Sequence, residues 1–110
     1  MVFKKYKKIH FIGVGGIGIS AIAKWAYLEG VKVTGSDVEE SEITNELTEM
    51  GVKIFIGHKK SNVPKSADLV VYSFAVPANN PERGVKSEKS YFEFLGELTK
   101  EKKLIAVSGT

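Results

Sequence analysis

Several residue types and patterns are missing from this sequence, and each absence excludes a class of protein or site. There is no cysteine, which excludes disulfide bonds and thiolate metal sites. The two histidines, His10 and His58, lie far apart and do not have the spacing of a zinc site. No apolar run approaches the roughly 20 residues that cross a bilayer, and no signal-peptide core follows the lysines at the start. We therefore expect a cytoplasmic protein with no membrane partner.

Positive charge is only slightly in excess. Over 110 residues the formal net charge is +3, and much of it comes from lysines near the two ends of the chain. Such lysines are usually solvated, and they do not form a known nucleic-acid-binding module. We expect no nucleic-acid partner. The length allows one domain with one core.

What the sequence does contain is a regular alternation of strand and helix patterns. Strands are predicted at 9–12, 31–34, 53–56, 67–72 and 104–107, and helices at 16–29, 41–50 and 91–98. Tyr91, Phe92 and Phe94 are expected to face the core from the last helix, and Asn80-Pro81 is typical of a helix start. Residues 84–90 are more polar than the fifth strand expected there. The alternation indicates a single domain with a doubly wound α/β fold, in which a parallel sheet carries helices on both faces.

A glycine-rich turn joins the first predicted strand to the first helix. Residues 13–18 read G-x-G-x-x-G, a weak motif alone but a strong one between a strand and a helix. Gly13 permits the tight turn, Gly15 lets the backbone approach a phosphate, and Gly18 lets the helix pack closely on the strand. The amides of Gly15, Gly16 and Ile17 are expected to point outward at the positive end of the helix dipole. The motif predicts a Rossmann-like nucleotide site, and the alternative is a tight turn that binds nothing.

An aspartate follows at the distance that such a site requires. Asp37 ends the second predicted strand, 19 residues after Gly18, where the ribose of a bound nucleotide would lie. Its carboxylate can accept hydrogen bonds from two ribose hydroxyls, with Ser36 as a possible helper. The alternative is a solvated aspartate at a strand end. The glycine turn and Asp37 together are also compatible with an NAD-binding domain of a dehydrogenase or regulator.

A longer pattern resembles one family over nearly the whole chain. The run His-Phe-Ile-Gly-Val-Gly-Gly-Ile-Gly-Ile-Ser at 10–20 resembles the start of the Mur ligases of peptidoglycan synthesis, and of their alanine-adding members in particular. The resemblance continues, in order and at matching spacing, at 35–37, 56–58, 73–76, 80–82 and 106–110. Two residues depart from it: Ile19 replaces a methionine, and Phe74 replaces a small residue and would narrow the pocket.

The resemblance implies a function and a domain boundary. In this family a first domain holds the UDP part of UDP-N-acetylmuramate, a second binds ATP with Mg²⁺, and a third receives the amino acid. ATP phosphorylates the muramoyl carboxylate, which the amine of L-alanine then attacks. By this likeness residues 1–107 form the UDP-substrate-binding domain, and residues 108–110 are the truncated start of the ATP-binding loop, with Gly109 and Thr110 as its only members. We expect no catalytic residue, metal or cofactor in this chain, which alone would be inactive.

The resemblance also implies site residues. The diphosphate would rest on the turn, Asp37 and Ser36 would hold the ribose, and His58 would contact uridine or phosphate; the alternative for His58 is an ordinary loop histidine. His10 is interpreted as structural. In full, the expected substrate-binding residues are Gly15, Gly16, Ile17, Gly18, Ser36, Asp37, His58, Ser73, Ala75 and Val76. The first domain of the related ligase that recycles murein tripeptide remains an alternative.

Overall fold

The part of the chain that the structure describes contains one parallel sheet, three α-helices and one short 3-10 helix. The structure, a computed structural model, describes residues 2–106, and residues 101–106 in their backbone only. The strands are β1 (Lys8–Ile12), β2 (Lys32–Asp37), β3 (Lys53–Ile56), β4 (Leu69–Tyr72) and β5 (Glu88–Ser90), and the helices are α1 (Ile17–Leu28), α2 (Glu42–Met50) and α3 (Tyr91–Ala106). All neighbouring strands pair in parallel, in the order β3-β2-β1-β4-β5. The Rossmann-like α/β fold predicted from the sequence is confirmed.

The two faces of the sheet are covered differently. Alternate residues of a strand point to opposite faces, so Ile9 and Phe11 of β1 pack with all three helices in one apolar core. Ile12 and Val70 point to the other face, where a smaller apolar cluster includes Val63 from the connection after β3. Helices on both faces were expected, but the three described α-helices all lie on the first, and the connection after β3 contains only a short 3-10 helix, Lys60–Asn62. Prolines explain the difference: all three in the chain fall in the two connections that cover the second face, where they interrupt helices.

Capping residues define both ends of α2, whereas the start of α1 has no side-chain cap. Ser41 caps α2: its Oγ accepts a hydrogen bond from the Thr44 amide at 3.2 Å, and the Thr44 hydroxyl oxygen accepts one from the Ser41 amide. Gly51 ends the helix in the left-handed region, with φ of 112°. Gly16 precedes α1 without any side-chain cap. The first turn of α1 therefore has amides that no capping side chain satisfies.

Several element predictions were wrong in detail. The Gly-Ser-Asp run at 35–37 belongs to β2 rather than following it, since Asp37 still pairs with Ile56 of β3. Asn80-Pro81 begins a turn and not a helix, because the Asn80 side chain accepts a hydrogen bond from the Glu82 amide at 2.9 Å. The polar segment does contain the fifth strand, which is a three-residue strand at the edge of the sheet. An edge strand needs fewer apolar residues than a central one.

The end of the chain was also predicted incorrectly. Residues 104–106, expected to begin a strand, continue α3. A short apolar run cannot be distinguished from a helix segment by periodicity alone. Residues 107–110, including Gly109 and Thr110, lie outside the described part. Phe92 was expected to face the core with Phe94, but it is 60% exposed, whereas Phe94 is buried. Among residues 2–106, no helix is long and apolar enough to cross a membrane.

Gly18 lies close to the start of α3. A Cβ added at this position would lie 2.7 Å from Cζ of Tyr91. The absence of a side chain at Gly18 therefore makes room for the Tyr91 ring. This contact brings the N-terminal turns of α1 and α3 together beside the glycine turn.

Core packing predicts that truncating two leucines will change the free energy of unfolding by different amounts. Leu47 of α2 is fully buried, whereas Leu28 at the end of α1 is 75% exposed. Leu47→Ala should reduce the free energy of unfolding by about 2–5 kcal/mol, because it leaves a cavity in the core. Leu28→Ala should change it by less than about 0.5 kcal/mol. Urea denaturation of the two variants measures both values, and equal losses would contradict the described core.

Candidate functional site

A cleft of about 390 Å³ opens at the carboxyl ends of the central strands. Gly16 lies on its wall from the turn after β1, Asp37 from the end of β2, and His58 from the loop after β3. The segment after β4 contributes another wall, formed by Ser73, Ala75, Val76, Pro77 and Asn80. Ligands of open α/β sheets bind at this edge, where the chain leaves neighbouring strands in opposite directions.

The glycine turn is shaped by tight contacts on two sides. Gly13 has φ of 78°, a conformation that favours glycine, and a Cβ there would lie 2.8 Å from Cβ of Ser73. Gly15 does not have a positive φ. Glycine is needed here for a steric reason instead: a Cβ at position 15 would lie 2.7 Å from Oδ2 of Asp37, too close for a normal contact. The turn therefore needs glycine at these two positions for different reasons.

Asp37 is bound to the turn itself. Its Oδ2 accepts a hydrogen bond from the Gly15 amide at 2.8 Å, and its Oδ1 accepts one from the Val38 amide at 2.7 Å. The Gly16 amide donates to the Gly13 carbonyl at 3.2 Å. The expectation that the amides of Gly15 and Gly16 point outward was therefore wrong in this structure. A carboxylate at the end of the adjacent strand is itself an anion and can satisfy an amide of the turn.

The amides that remain for a ligand are those of the first turn of α1. The first N–H groups of a helix have no intrahelical acceptor and carry the positive end of the dipole. Here they belong to Ile17 and Gly18, next to Gly16 on the wall of the cleft. Ile17 is 84% exposed.

A buried carboxylate beneath the cleft binds several of the surrounding elements. Glu82 has no exposed surface. Its Oε1 accepts hydrogen bonds from Nε2 of His10 at 2.6 Å and from Oγ of Ser36 at 2.7 Å. Its Oε2 accepts them from Nδ1 of His58 at 2.9 Å, Nδ2 of Asn62 at 3.1 Å and the Lys59 amide at 3.2 Å. This set, the Glu82 cluster, links β1, β2 and the loop after β3 to the segment after β4.

The charge state of Glu82 determines which ring nitrogen of each histidine donates to it. Burial alone raises the pKa of the Glu82 carboxyl, but the hydrogen bonds donated to it outweigh burial and lower the pKa from 4.5 to about 2. An ionised carboxylate only accepts hydrogen bonds, so Nε2 of His10 and Nδ1 of His58 each carry a proton. In a neutral His10 ring, Nδ1 then accepts a hydrogen bond from the Thr34 hydroxyl, at 2.7 Å.

The structure brings together most of the predicted site residues. Those on the cleft wall are Gly16, Asp37, His58, Ser73, Ala75 and Val76. Gly15, Ile17 and Gly18 lie in or directly after the turn, but not on that wall. Ser36 is fully buried, and its hydroxyl donates to Glu82 instead of facing the cleft. His10 is likewise buried in the Glu82 cluster, in the structural position that was expected for it.

Glu82 is the residue that sequence reasoning missed. It lies in a turn among other polar residues, and no periodic or spacing pattern distinguishes it from a solvated glutamate. The only signal was its place in the Asn-Pro-Glu run at 80–82, one of the segments of the family resemblance. Phe74 was expected to narrow the pocket, but its side chain is 82% exposed and its ring lies 6.0 Å from that of Phe92, between centroids.

Stability at acid pH should depend on Glu82. A carboxyl group whose pKa is lowered on folding stabilises the protein above its unfolded pKa and loses that contribution as the pH falls through its folded pKa. The contribution of Glu82 should therefore fade between pH 4.5 and about 2, with a total of roughly 3 kcal/mol in the free energy of unfolding. Glu82→Gln should be less stable at neutral pH and should lack this part of the pH dependence.

Chemical denaturation over this pH range measures the effect. Glu46→Gln is the control, because Glu46 forms an ion pair with Lys24 that is partly exposed. This variant should keep the acid sensitivity of the parent. The same pH dependence in Glu82→Gln as in the parent would show that another group is responsible.

Comparisons with known proteins agree with the geometry. The profile described as the Mur ligase family, catalytic domain, matches residues 8–103. The UDP-N-acetylmuramate–L-alanine ligase of Clostridium perfringens is 47% identical over an alignment of 110 positions, which covers 94% of this chain and 24% of that protein. The crystal structure of a UDP-N-acetylmuramate–alanine ligase from Thermotoga maritima is 37% identical, with a TM-score of 0.80 over 87% of this chain and 23% of that one.

A second kind of ligase is also similar. A murein peptide ligase from Psychrobacter arcticus is 27% identical, with a TM-score of 0.71 over 83% of this chain and 20% of that one. The chain thus spans about a quarter of the length of the curated relatives it matches, 24% of the first. The profile match covers most of its residues, as the resemblance in the sequence implied. The chain belongs to the Mur ligase family.

Proposed function

We propose that this chain is the substrate-binding domain of an ATP-dependent ligase that joins L-alanine to UDP-N-acetylmuramate in peptidoglycan synthesis. In this proposal it holds the UDP part of the substrate and catalyses no step itself. The observation that carries the proposal is the cleft, which gathers Gly16, Asp37 and His58 at the carboxyl edge of the sheet. A glycine turn, a helix N-terminus and a carboxylate at the next strand suit a nucleoside diphosphate.

Each wall of the cleft has a part in the proposed binding. The diphosphate rests on the turn from Gly15 to Gly18 and accepts hydrogen bonds chiefly from the Ile17 and Gly18 amides. Asp37 accepts hydrogen bonds from the ribose hydroxyls, since each of its oxygens has a second lone pair beyond its bond to a backbone amide. His58 contacts the ligand from the loop after β3.

The remaining walls complete the cleft. Ser73, Ala75 and Val76 enclose the ligand from the segment after β4, and Ser73 can donate a hydrogen bond to it. Ser36 acts indirectly, because its buried hydroxyl is bonded to Glu82. These roles are those that the geometry supports for the residues expected from the sequence.

The degree of similarity favours alanine addition over tripeptide recycling. The Thermotoga alanine ligase exceeds the Psychrobacter murein peptide ligase in identity, 37% against 27%, and in TM-score, 0.80 against 0.71. We assign ATP, Mg²⁺ and L-alanine to the part of the relatives' length that this chain does not span. Within residues 2–106, no three acidic or histidine side chains are grouped so that they could hold a metal ion.

Ligand choice tests the proposal directly. Isothermal titration of the 110-residue chain should show tighter binding of UDP-N-acetylmuramate than of NAD. Free UDP should bind nearly as well as the full substrate, because the UDP part makes the proposed contacts. Tighter binding of NAD would favour a dehydrogenase or regulatory domain instead.

A valine in the glycine turn should abolish binding without unfolding the domain. In Gly15→Val the new Cβ would displace the Asp37 carboxylate, which lies 2.7 Å away, and would fill the space beside the phosphates. Loss of two charge-assisted contacts costs roughly 3 kcal/mol, or more than about a hundredfold in affinity. Asp37→Asn keeps the shape and should weaken binding by only about fivefold to tenfold.

The control for this experiment is Gly96→Val in α3, where an added Cβ meets no atom within 4 Å. This variant should bind like the parent, and circular dichroism checks that all variants are folded. Unchanged binding of UDP-N-acetylmuramate by a folded Gly15→Val variant would mean that the phosphates do not lie on this turn.

A further inference from the structure

The loop after β3 is held in position by the Glu82 carboxylate, which comes from the segment after β4. His58 lines the cleft, and 18% of its side chain is exposed, yet its Nδ1 atom is bonded to the fully buried Glu82 carboxylate. The Lys59 amide and the Asn62 side chain of the same loop donate to the same oxygen. Asn62 also donates to the Gly57 carbonyl at 2.9 Å, which closes the loop on itself. Three donors from one loop therefore converge on one carboxylate oxygen.

This arrangement leaves one ring nitrogen of His58 for the cleft. Because the carboxylate only accepts hydrogen bonds, Nδ1 must be the protonated nitrogen. Nε2 makes no hydrogen bond to any group within residues 2–106. In the neutral ring Nε2 carries a lone pair, so it accepts a hydrogen bond and repels an anionic oxygen.

We propose that Glu82 is a positioning residue, which holds the His58 ring in the Nδ1–H tautomer and so presents Nε2 to the cleft as a hydrogen-bond acceptor. This inference rests on the proposed function and sharpens it. His58 then pairs with a hydroxyl or an N–H group of the nucleoside, and the phosphates bind elsewhere. A histidine left free to rotate would present either nitrogen and would not discriminate between these groups.

Glu82 is suited to this task because, among the cleft-wall residues, its carboxylate forms a hydrogen bond with His58 alone. Glu82 is not on the cleft wall and is fully buried. Its Oε1 is held by His10 and Ser36 from the central strands, which fixes the carboxylate plane against the sheet. The second oxygen therefore has a defined direction, and the His58 ring takes its orientation from it.

The tautomer can be read without any ligand. The chain has two histidines, so a ¹⁵N spectrum of the imidazole nitrogens contains two rings, and His58→Ala assigns them. Under conditions where the ring is neutral, His58 should show a protonated Nδ1 and an unprotonated Nε2. A predominant Nε2–H tautomer in the parent would overturn the proposal, whatever the chain binds.

A double-mutant cycle then separates positioning from general structural support. Glu82→Gln keeps the size of the side chain but replaces one acceptor oxygen with an NH₂ donor, which faces the donors of the cluster. It should weaken binding of UDP-N-acetylmuramate about tenfold or more, as should His58→Ala. With His58 already removed, Glu82→Gln should cost little further affinity. An equal loss in both backgrounds would mean that Glu82 only supports the fold, and would overturn the proposal.

Controls keep the outcomes distinct. Glu46→Gln, a matched change in a partly exposed ion pair, should leave both the tautomer and the affinity unchanged. If the parent binds neither UDP-N-acetylmuramate nor UDP, the proposed function is wrong. The ¹⁵N spectrum still tests separately whether the His58 ring is in the Nδ1–H tautomer. If Glu82→Gln does not fold, the parent spectrum remains the deciding measurement.

Discussion

The buried Glu82 carboxylate is the interaction on which the functional edge of this domain depends. Five hydrogen bonds converge on it, from two strands of the sheet and from the loop after β3. Without it, two irregular connections would cover the second face of the sheet with few apolar contacts to hold them, chiefly those of Val63, Val76 and Val85. An ionised group without partners in this place would be strongly unfavourable, so the cluster forms as a unit or not at all.

The two faces of the sheet have different roles in the domain. The helix-covered face buries large apolar side chains, among them Phe3, Phe11 and Phe94, and such burial stabilises the fold without directing any particular group. The other face places His10, Ser36 and Glu82 at buried positions where hydrogen bonds must be satisfied. Hydrogen bonds have preferred directions. The polar face can therefore set the orientation of a cleft residue such as His58, which an apolar core could not.

The sequence predicted the fold better than it predicted the contacts of the site. Periodicity and glycine placement located the first four strands and the first two helices, because those signals are local. The strand at 104–107 and the helix at Asn80 were wrong, since a short apolar run and an Asn-Pro pair each fit more than one structure. The bond between Asp37 and Gly15 and the Glu82 cluster join residues 20 to 72 positions apart. Nothing in a local pattern indicates which of many polar side chains meet over such separations.

The bond between Asp37 and the glycine turn changes how ligand binding at this site should be understood. The Gly15 amide already has an anionic acceptor in Asp37, so in the proposed binding mode a phosphate on that amide would exchange one charge-assisted hydrogen bond for another. Net affinity must then come from groups that the protein leaves unsatisfied: the first-turn amides of α1, the second lone pairs of Asp37, and Nε2 of His58. These groups lie around the cleft and face different parts of a nucleoside diphosphate. Under the proposed function, recognition therefore depends on the nucleoside as well as on the phosphates, unlike recognition at a simple anion site at a helix N-terminus.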